Sequence, residues 1–175
     1  MQGRVLIIAG SDSGGGAGIQ ADIKAVSAFG SYAATAITAV TVQNSRGVQD
    51  VHPIPKNIVR GQIRAVLDDI GADALKIGMV QSTDLIKAIA EEIDDVTDET
   101  PLVLDPVMVA KGGAALLDQD AVNALRADLV LRAEVLTPNI PEAEALTGLS
   151  VETVDDMKRA ADALLSLGAQ SVLVK

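Results

Sequence analysis

Residues 4–22, RVLIIAGSDSGGGAGIQAD, decide the fold of this chain. The apolar run of residues 5–9 ends in a loop crowded with glycines, and an amphipathic run begins at Ile19. A strand, a glycine-rich turn and a helix form ligand crevices in open α/β sheets, because the helix N–H groups point toward the ligand. Glycine suits such a turn because it accepts positive φ and leaves room for a bound group. The stretch therefore predicts a ligand site after the first strand.

The glycine loop fits two common ligand motifs poorly. A phosphate-binding P-loop needs Gly-Lys-Ser/Thr after its spaced glycine, but the first lysine of the chain is Lys24, beyond the loop. Residues 16–21, GAGIQA, nominally meet the dinucleotide-binding pattern, which also expects an acidic residue at the end of the second strand. The second apolar run ends instead in Gln43 and Asn44. A tight strand-to-helix turn without a ligand also stays open.

Composition limits the class of protein. The 175 residues are 49% hydrophobic but include one Phe, one Tyr and no Trp, which predicts a single domain with an aliphatic core. The net charge of −10 argues against a nucleic-acid partner. The lack of cysteine excludes disulfides and thiolate zinc sites and suits a reducing cytosol. No apolar run approaches the roughly 18 residues of a membrane span, so we expect a soluble, cytoplasmic protein.

Apolar and amphipathic segments alternate along the whole chain. The alternation, without hairpin signals, predicts an α/β fold with a parallel sheet and helices on both faces. The predicted strands are residues 5–9, 34–42, 74–78, 102–104, 135–137 and 171–174. The predicted helices are residues 19–29, 57–70, 83–93, 118–127, 140–146 and 154–167.

Acidic residues follow two of the later strands, where open α/β sheets gather their chemistry. Asp105 directly follows a strand and could hold Mg²⁺ or its waters, or could simply form an Asp-Pro turn. Asn139 and Glu142 have the spacing of a capping box, in which Asn caps the helix and Glu reaches back. The pair also resembles the Asn-x-x-Glu motif of ribokinase-like kinases, and this resemblance implies a role in ordering the metal and its phosphates. Both interpretations of this pair can hold together.

Asp22 and Gln43 are candidates for binding a polar ring, since a carboxylate and an amide complement amino groups and ring nitrogens. Asp22 could instead complement the helix dipole, and Gln43 could be an ordinary strand-end side chain. Met79 is either core or the wall of a ligand site. His52 is expected in an exposed loop, and a single histidine without cysteine gives little support for a nucleophilic triad.

The chain resembles the hydroxymethylpyrimidine/phosphomethylpyrimidine kinases, ribokinase-like enzymes of thiamine biosynthesis. The resemblance runs along the whole sequence, and the order and spacing of the segments make it specific. The matching segments are GSDSGGGAGIQAD (residues 10–22), ITAVTVQNSRGV (37–48), LKIGMV (75–80), DPVMVAKGG (105–113), LTPNIPEAEAL (136–146) and SVLVK (171–175).

The resemblance implies a three-layer αβα fold with a mostly parallel central sheet, and a homodimer. It implies ATP- and Mg²⁺-dependent phosphorylation of 4-amino-5-hydroxymethyl-2-methylpyrimidine, and then of its monophosphate. By position, the substrate contacts would be Gly10, Asp22, Gln43, Met79 and Val107. The groups serving the metal would be Asp105 and Glu142, and those serving the nucleotide Asn139 and Lys175.

The family pattern continues beyond the lysine that matches Lys175. A Gly-Thr-Gly-Cys (or Asp) turn there supplies the anion hole and the proposed base, so the resemblance assigns no catalytic residue within this chain. We therefore expect residues 1–175 to be the N-terminal two-thirds of one kinase domain, with a sheet incomplete at its C-terminal end. Pyrimidine binding could survive while catalysis is impaired. A pyridoxal or pyridoxine kinase of the same fold and a non-catalytic pyrimidine-binding domain are the alternatives, ahead of a dinucleotide enzyme.

Overall fold

The computed structural model describes residues 3–97, 99–108 and 117–175. These ranges contain seven strands and six α-helices. The strands are β1 (Arg4–Asp12), β2 (Tyr32–Asn44), β3 (Gly47–Pro53), β4 (Ala74–Ile77), β5 (Leu102–Leu104), β6 (Val135–Leu136) and β7 (Ser171–Val172). The helices are α1 (Gly18–Ala28), α2 (Lys56–Asp69), α3 (Thr83–Thr97), α4 (Gln119–Ala124), α5 (Ile140–Thr147) and α6 (Val154–Ser166). None of the described helices is long and apolar enough to span a membrane.

The strands form one sheet in the order β3-β2-β1-β4-β5-β6-β7. Every neighbouring pair is parallel except β2 and β3, which run antiparallel. Parallel neighbours end at the same edge of the sheet, so the segments that follow β1, β4, β5 and β6 lie together. This edge is where candidate functional residues meet.

Strand β1 lies inside the sheet, between β2 and β4, and separates two apolar clusters. Leu6 and Ile8 belong to the larger cluster, which includes buried residues of α2 and α3. Ile7 and Ala9 point to the other face, where they pack with Ile19 of α1. This alternation follows from the two-residue period of a strand. The predicted helices on both faces of a mostly parallel sheet are confirmed.

The β2–β3 hairpin corrects the prediction of a sheet without hairpins. The four-residue segment 44–47, NSRG, turns the chain, and Asn44 Oδ1 accepts the N–H of Arg46. Strand β3 then pairs back along β2, which places His52 in a strand opposite Val40, with its side chain exposed as expected. The turn residues carried the signal for this hairpin. The half-polar β3 lacks the apolar run by which the other strands were recognised.

Capping explains where several helices begin. Thr153 and Asp156 form a capping box at the start of α6, and Asp118 accepts the N–H of Ala121 at the start of α4. The predicted helix over residues 118–127 is only partly correct. The α-helical part ends at Ala124, and the chain continues as a π-helical turn over Leu125–Leu129.

Candidate functional site

The glycine loop after β1 folds around a carboxylate of its own chain. Asp12 is 5% exposed and accepts the N–H groups of Gly14, Gly16 and Ala17 at 2.7 to 2.9 Å. In a phosphate-binding loop, such N–H groups are free to bind the ligand instead. The arrangement therefore supports the prediction that this is not a phosphate-binding loop.

A cavity of about 340 Å³ opens beside the glycine loop, and its size suits a small ring compound. All five residues predicted to contact the substrate line it, although they come from five separate segments of the chain. They are Gly10, Asp22, Gln43, Met79 and Val107. Asp105 lines the same cavity.

Glycines let the walls of the cavity come together. Gly18 has φ +53, and a Cβ at this position would overlap the carbonyl oxygen of Gly10. A Cβ on Gly10 would in turn overlap the terminal methyl group of Met79. Any larger residue at Gly10 or Gly18 would therefore displace part of the cavity wall.

Asp22 is held by a lysine that sequence reasoning did not single out. Asp22 Oδ2 accepts Lys76 Nζ at 2.6 Å, and the two side chains are 22% and 21% exposed. Lys76 lies in the central strand β4 and lines the cavity. A Cβ on Gly78 would lie 2.9 Å from Lys76 Nζ, so the glycine leaves room for the ammonium group. A lysine inside the otherwise apolar ALKI strand was the signal that could have revealed this pair.

Asp105 and Lys175 form a second charged pair next to the cavity. Asp105 Oδ1 accepts Lys175 Nζ at 2.6 Å and the hydroxyl of Thr137 at 3.1 Å. These residues follow three neighbouring parallel strands, β5, β6 and β7. The sheet topology therefore brings together groups that are 70 residues apart in the sequence.

Asn139 and Glu142 form the capping box predicted from their spacing, with both reciprocal bonds at 2.9 Å. Glu142 is 4% exposed. Burial raises the pKa of its carboxyl group and the nearby charge of Asp105 adds to this, whereas the N–H of Asn139 and the charge of Lys175 oppose the rise. The capping function is confirmed, and the roles of Asn139 with the nucleotide and of Glu142 with a metal stay predictions.

A sequence model of one family, described as phosphomethylpyrimidine kinase, matches residues 12–175. The chain belongs to this family. A curated relative, the hydroxymethylpyrimidine/phosphomethylpyrimidine kinase of Bacillus subtilis, is 48% identical over 172 residues. The match covers 98% of this chain and 63% of that relative, so the chain spans less than two-thirds of its length.

Solved structures of family members and related kinases share the fold. A phosphomethylpyrimidine kinase from Clostridium difficile superposes with a TM-score of 0.90 at 48% identity, covering 98% of this chain and 74% of the other. The pyridoxal kinase of Staphylococcus aureus in complex with pyridoxal gives a TM-score of 0.88 at 37% identity, covering 98% and 64%. The predicted ribokinase-like fold and family are confirmed.

The nine predicted site residues fall into two groups. The five residues predicted to contact the substrate line the cavity together with Asp105. Lys175 reaches the site through its bond to Asp105, and Asn139 and Glu142 lie at the start of α5. Within the described ranges, no three His, Asp or Glu side chains are grouped to hold a metal ion. Residues 109–113 of the matching segment DPVMVAKGG lie outside the described residues.

We expect Glu142→Gln to be at least as stable as the wild type at neutral pH. Glu142 has a raised pKa in the folded chain, so its burial disfavours folding once the pH rises through that pKa. Glutamine is neutral throughout and can still accept the N–H of Asn139. Urea unfolding between about pH 4 and 8 measures the difference, which should disappear where Glu142 is protonated in both states. A clear loss of stability at pH 7 would instead mean that attraction to Lys175 outweighs burial.

Proposed function

We propose that this chain carries the substrate site of a kinase that phosphorylates 4-amino-5-hydroxymethyl-2-methylpyrimidine and its monophosphate with Mg²⁺·ATP. One observation carries the proposal. The five residues assigned to the pyrimidine line a single cavity, and the Asp105–Lys175 pair stands at its side. The membership of the chain in the phosphomethylpyrimidine kinase family supports the same reaction.

The cavity suits an aminopyrimidine because it combines apolar walls with a few polar groups. Met79 and Val107 contribute apolar surface, while Asp22 offers a carboxylate that can accept hydrogen bonds from an amino group. The amide of Gln43 can donate to a ring nitrogen and accept from an amine. The salt bridge of Asp22 with Lys76 holds this carboxylate in a fixed position.

The charged pair of Asp105 and Lys175 suits Mg²⁺·ATP. Mg²⁺ prefers oxygen ligands and usually takes one or two carboxylates together with phosphate oxygens and water. Asp105 is the accessible carboxylate here, with a side chain that is 26% exposed, while Glu142 is buried and bonded to Asn139. We propose that Asp105 holds the metal or its water and that Glu142 supports it with negative charge. Lys175 would contact a phosphate, and the bound nucleotide would supply the phosphoryl group.

A pyridoxal or pyridoxine kinase is the second candidate. The Staphylococcus aureus structure named as a pyridoxal kinase in complex with pyridoxal has the same fold at 37% identity. Pyridoxal is also a small aromatic ring with a hydroxymethyl group, so the cavity volume does not separate the two substrates. The 48% identity to the Bacillus subtilis pyrimidine kinase favours the pyrimidine.

Calorimetric titration of the 175-residue chain with the hydroxymethylpyrimidine, and separately with pyridoxine, tests the substrate. We expect the pyrimidine to bind at least about tenfold more tightly, which corresponds to roughly 1.4 kcal/mol. Tighter binding of pyridoxine would favour the second candidate, and binding of neither would overturn the proposal. ADP release with Mg²⁺·ATP tests the expectation of impaired turnover in the same sample.

We further propose that the protein is cytoplasmic and forms a homodimer, and that the described residues belong to one domain. The continuous seven-stranded sheet and its large apolar cluster support the single domain. Sedimentation of the purified chain measures the oligomeric state.

A further inference from the structure

Ser13, in the glycine loop, binds the backbone of Gln43 through its side chain. Its hydroxyl donates to the carbonyl oxygen of Gln43 at 2.7 Å and accepts the N–H of the same residue at 2.8 Å. One hydroxyl thus satisfies both backbone groups of a residue 30 positions away. Each bond has the geometry of a well-formed hydrogen bond.

This contact lies where β2 leaves its neighbouring strand. The pairing of β1 with β2 ends at Asp12 and Thr41, and the register between β2 and β3 shifts at Val42 and Gln43. Gln43 remains opposite Val48 of β3, but β1 no longer runs beside it, and backbone groups without a strand partner open more readily. The Ser13 hydroxyl replaces the missing ladder bonds at this position.

The position of Ser13 is fixed in turn by the loop around Asp12. The next residue, Gly14, donates to Asp12 Oδ1 at 2.7 Å, and a Cβ there would lie 3.4 Å from Gln43 O and from the Cα of Asn44. The loop therefore packs directly against the end of β2. The Gln43 side chain lies beside the Thr41 hydroxyl, which is 3.2 Å from Gln43 Oε1 and 3.0 Å from its nearer acceptor, the carbonyl oxygen of Ser11.

We infer that Ser13 is a positioning residue. Its hydroxyl couples the glycine loop to the backbone of Gln43 and so holds the side-chain amide of Gln43 in place for the substrate. The inference deepens the proposed function and rests on it for the identity of the ligand. Ser13 does not line the cavity itself, so it acts through Gln43. Without the Ser13 hydroxyl, Gln43 would have to become ordered when the ligand binds, and this would lower the affinity.

Ser13→Ala tests the coupling, with Ser13→Thr as the conservative variant that keeps the hydroxyl. In Ser13→Ala we expect the backbone amide of Gln43 to exchange hydrogen about tenfold faster and pyrimidine affinity to fall about five- to tenfold. Ser13→Thr should restore most of both. The matched control is Ser171→Ala, which removes a hydroxyl that donates to the carbonyl oxygen of Glu134 in a distant part of the sheet.

The two readouts separate this inference from the proposed function. Unchanged exchange at Gln43 in Ser13→Ala would overturn the coupling, whichever ligand the cavity takes. Faster exchange with unchanged pyrimidine affinity would overturn the positioning role. If the wild type bound no pyrimidine, the proposed function would fail, and the coupling would be decided by the exchange rates alone. An equal loss of affinity in Ser171→Ala would show a general effect on stability and also overturn the inference.

Discussion

Gly18→Ala is expected to lower the free energy of unfolding by about 2–5 kcal/mol and to abolish measurable pyrimidine binding. Gly18 begins α1 with φ +53, a conformation that costs any other residue strain. A methyl group there would also overlap the carbonyl oxygen of Gly10, which belongs to the cavity wall. Backbone cannot move aside as a flexible side chain can, so β1 and α1 would have to separate. Urea unfolding and calorimetry measure the two effects.

Two other glycines in this chain serve as matched controls. Gly148 also has a positive φ, +74, but a Cβ there meets nothing within 4 Å, so Gly148→Ala should cost only about 1–2 kcal/mol of strain. Gly61 lies inside α2 with open space around it, so Gly61→Ala should stabilise by about 0.5–1 kcal/mol. Both should bind the pyrimidine like the wild type. If Gly18→Ala cost no more than Gly148→Ala, close approach to Gly10 would not be what demands this glycine.

The features that the sequence predicted best are those written into short segments. The strand, glycine loop and helix of residues 4–22 have strong local signals, and the capping box at Asn139 depends on a three-residue spacing alone. Topology then extends the prediction, because the ends of parallel strands must meet at one edge. That rule brings Asp105 and Lys175 together without any knowledge of their side-chain contacts.

Such reasoning could not predict which side chains from distant parts of the sequence contact each other. The pairing of Lys76 with Asp22 depends on which face of β4 looks toward α1, and the contact of Ser13 with Gln43 depends on where the β1–β2 ladder ends. The β2–β3 hairpin was missed because β3 is held by its pairing with β2 and by the turn rather than by an apolar run. Tertiary contacts, not local propensity, determine the two side-chain pairs, whereas the hairpin had a local signal in its turn residues alone.

Replacing Asp22 is expected to weaken pyrimidine binding more than any other single change that leaves the fold intact. Asp22→Asn should lower the affinity roughly 10- to 100-fold, because a hydrogen bond to a charged acceptor is worth about 1.5–3 kcal/mol. Lys76→Met removes the 2.6 Å partner that fixes the carboxylate, and we expect it to weaken binding about five- to tenfold. The double variant should be little worse than Asp22→Asn alone, since the lysine acts through the aspartate. Calorimetry on all four proteins gives this cycle.

The free energies of unfolding of the same four proteins give the coupling energy between Asp22 and Lys76. Both side chains are about four-fifths buried, so the coupling should lie between surface and buried pairs, at roughly 1–2 kcal/mol. The exposed pair of Asp155 and Lys158, at 2.9 Å, provides the control, with an expected coupling below about 0.5 kcal/mol and no effect on pyrimidine affinity. Additive losses of affinity in the Asp22→Asn/Lys76→Met double variant would contradict the argument. Lys76 would then contact the ligand directly, and the substrate would bind to both charged groups of the Asp22–Lys76 pair.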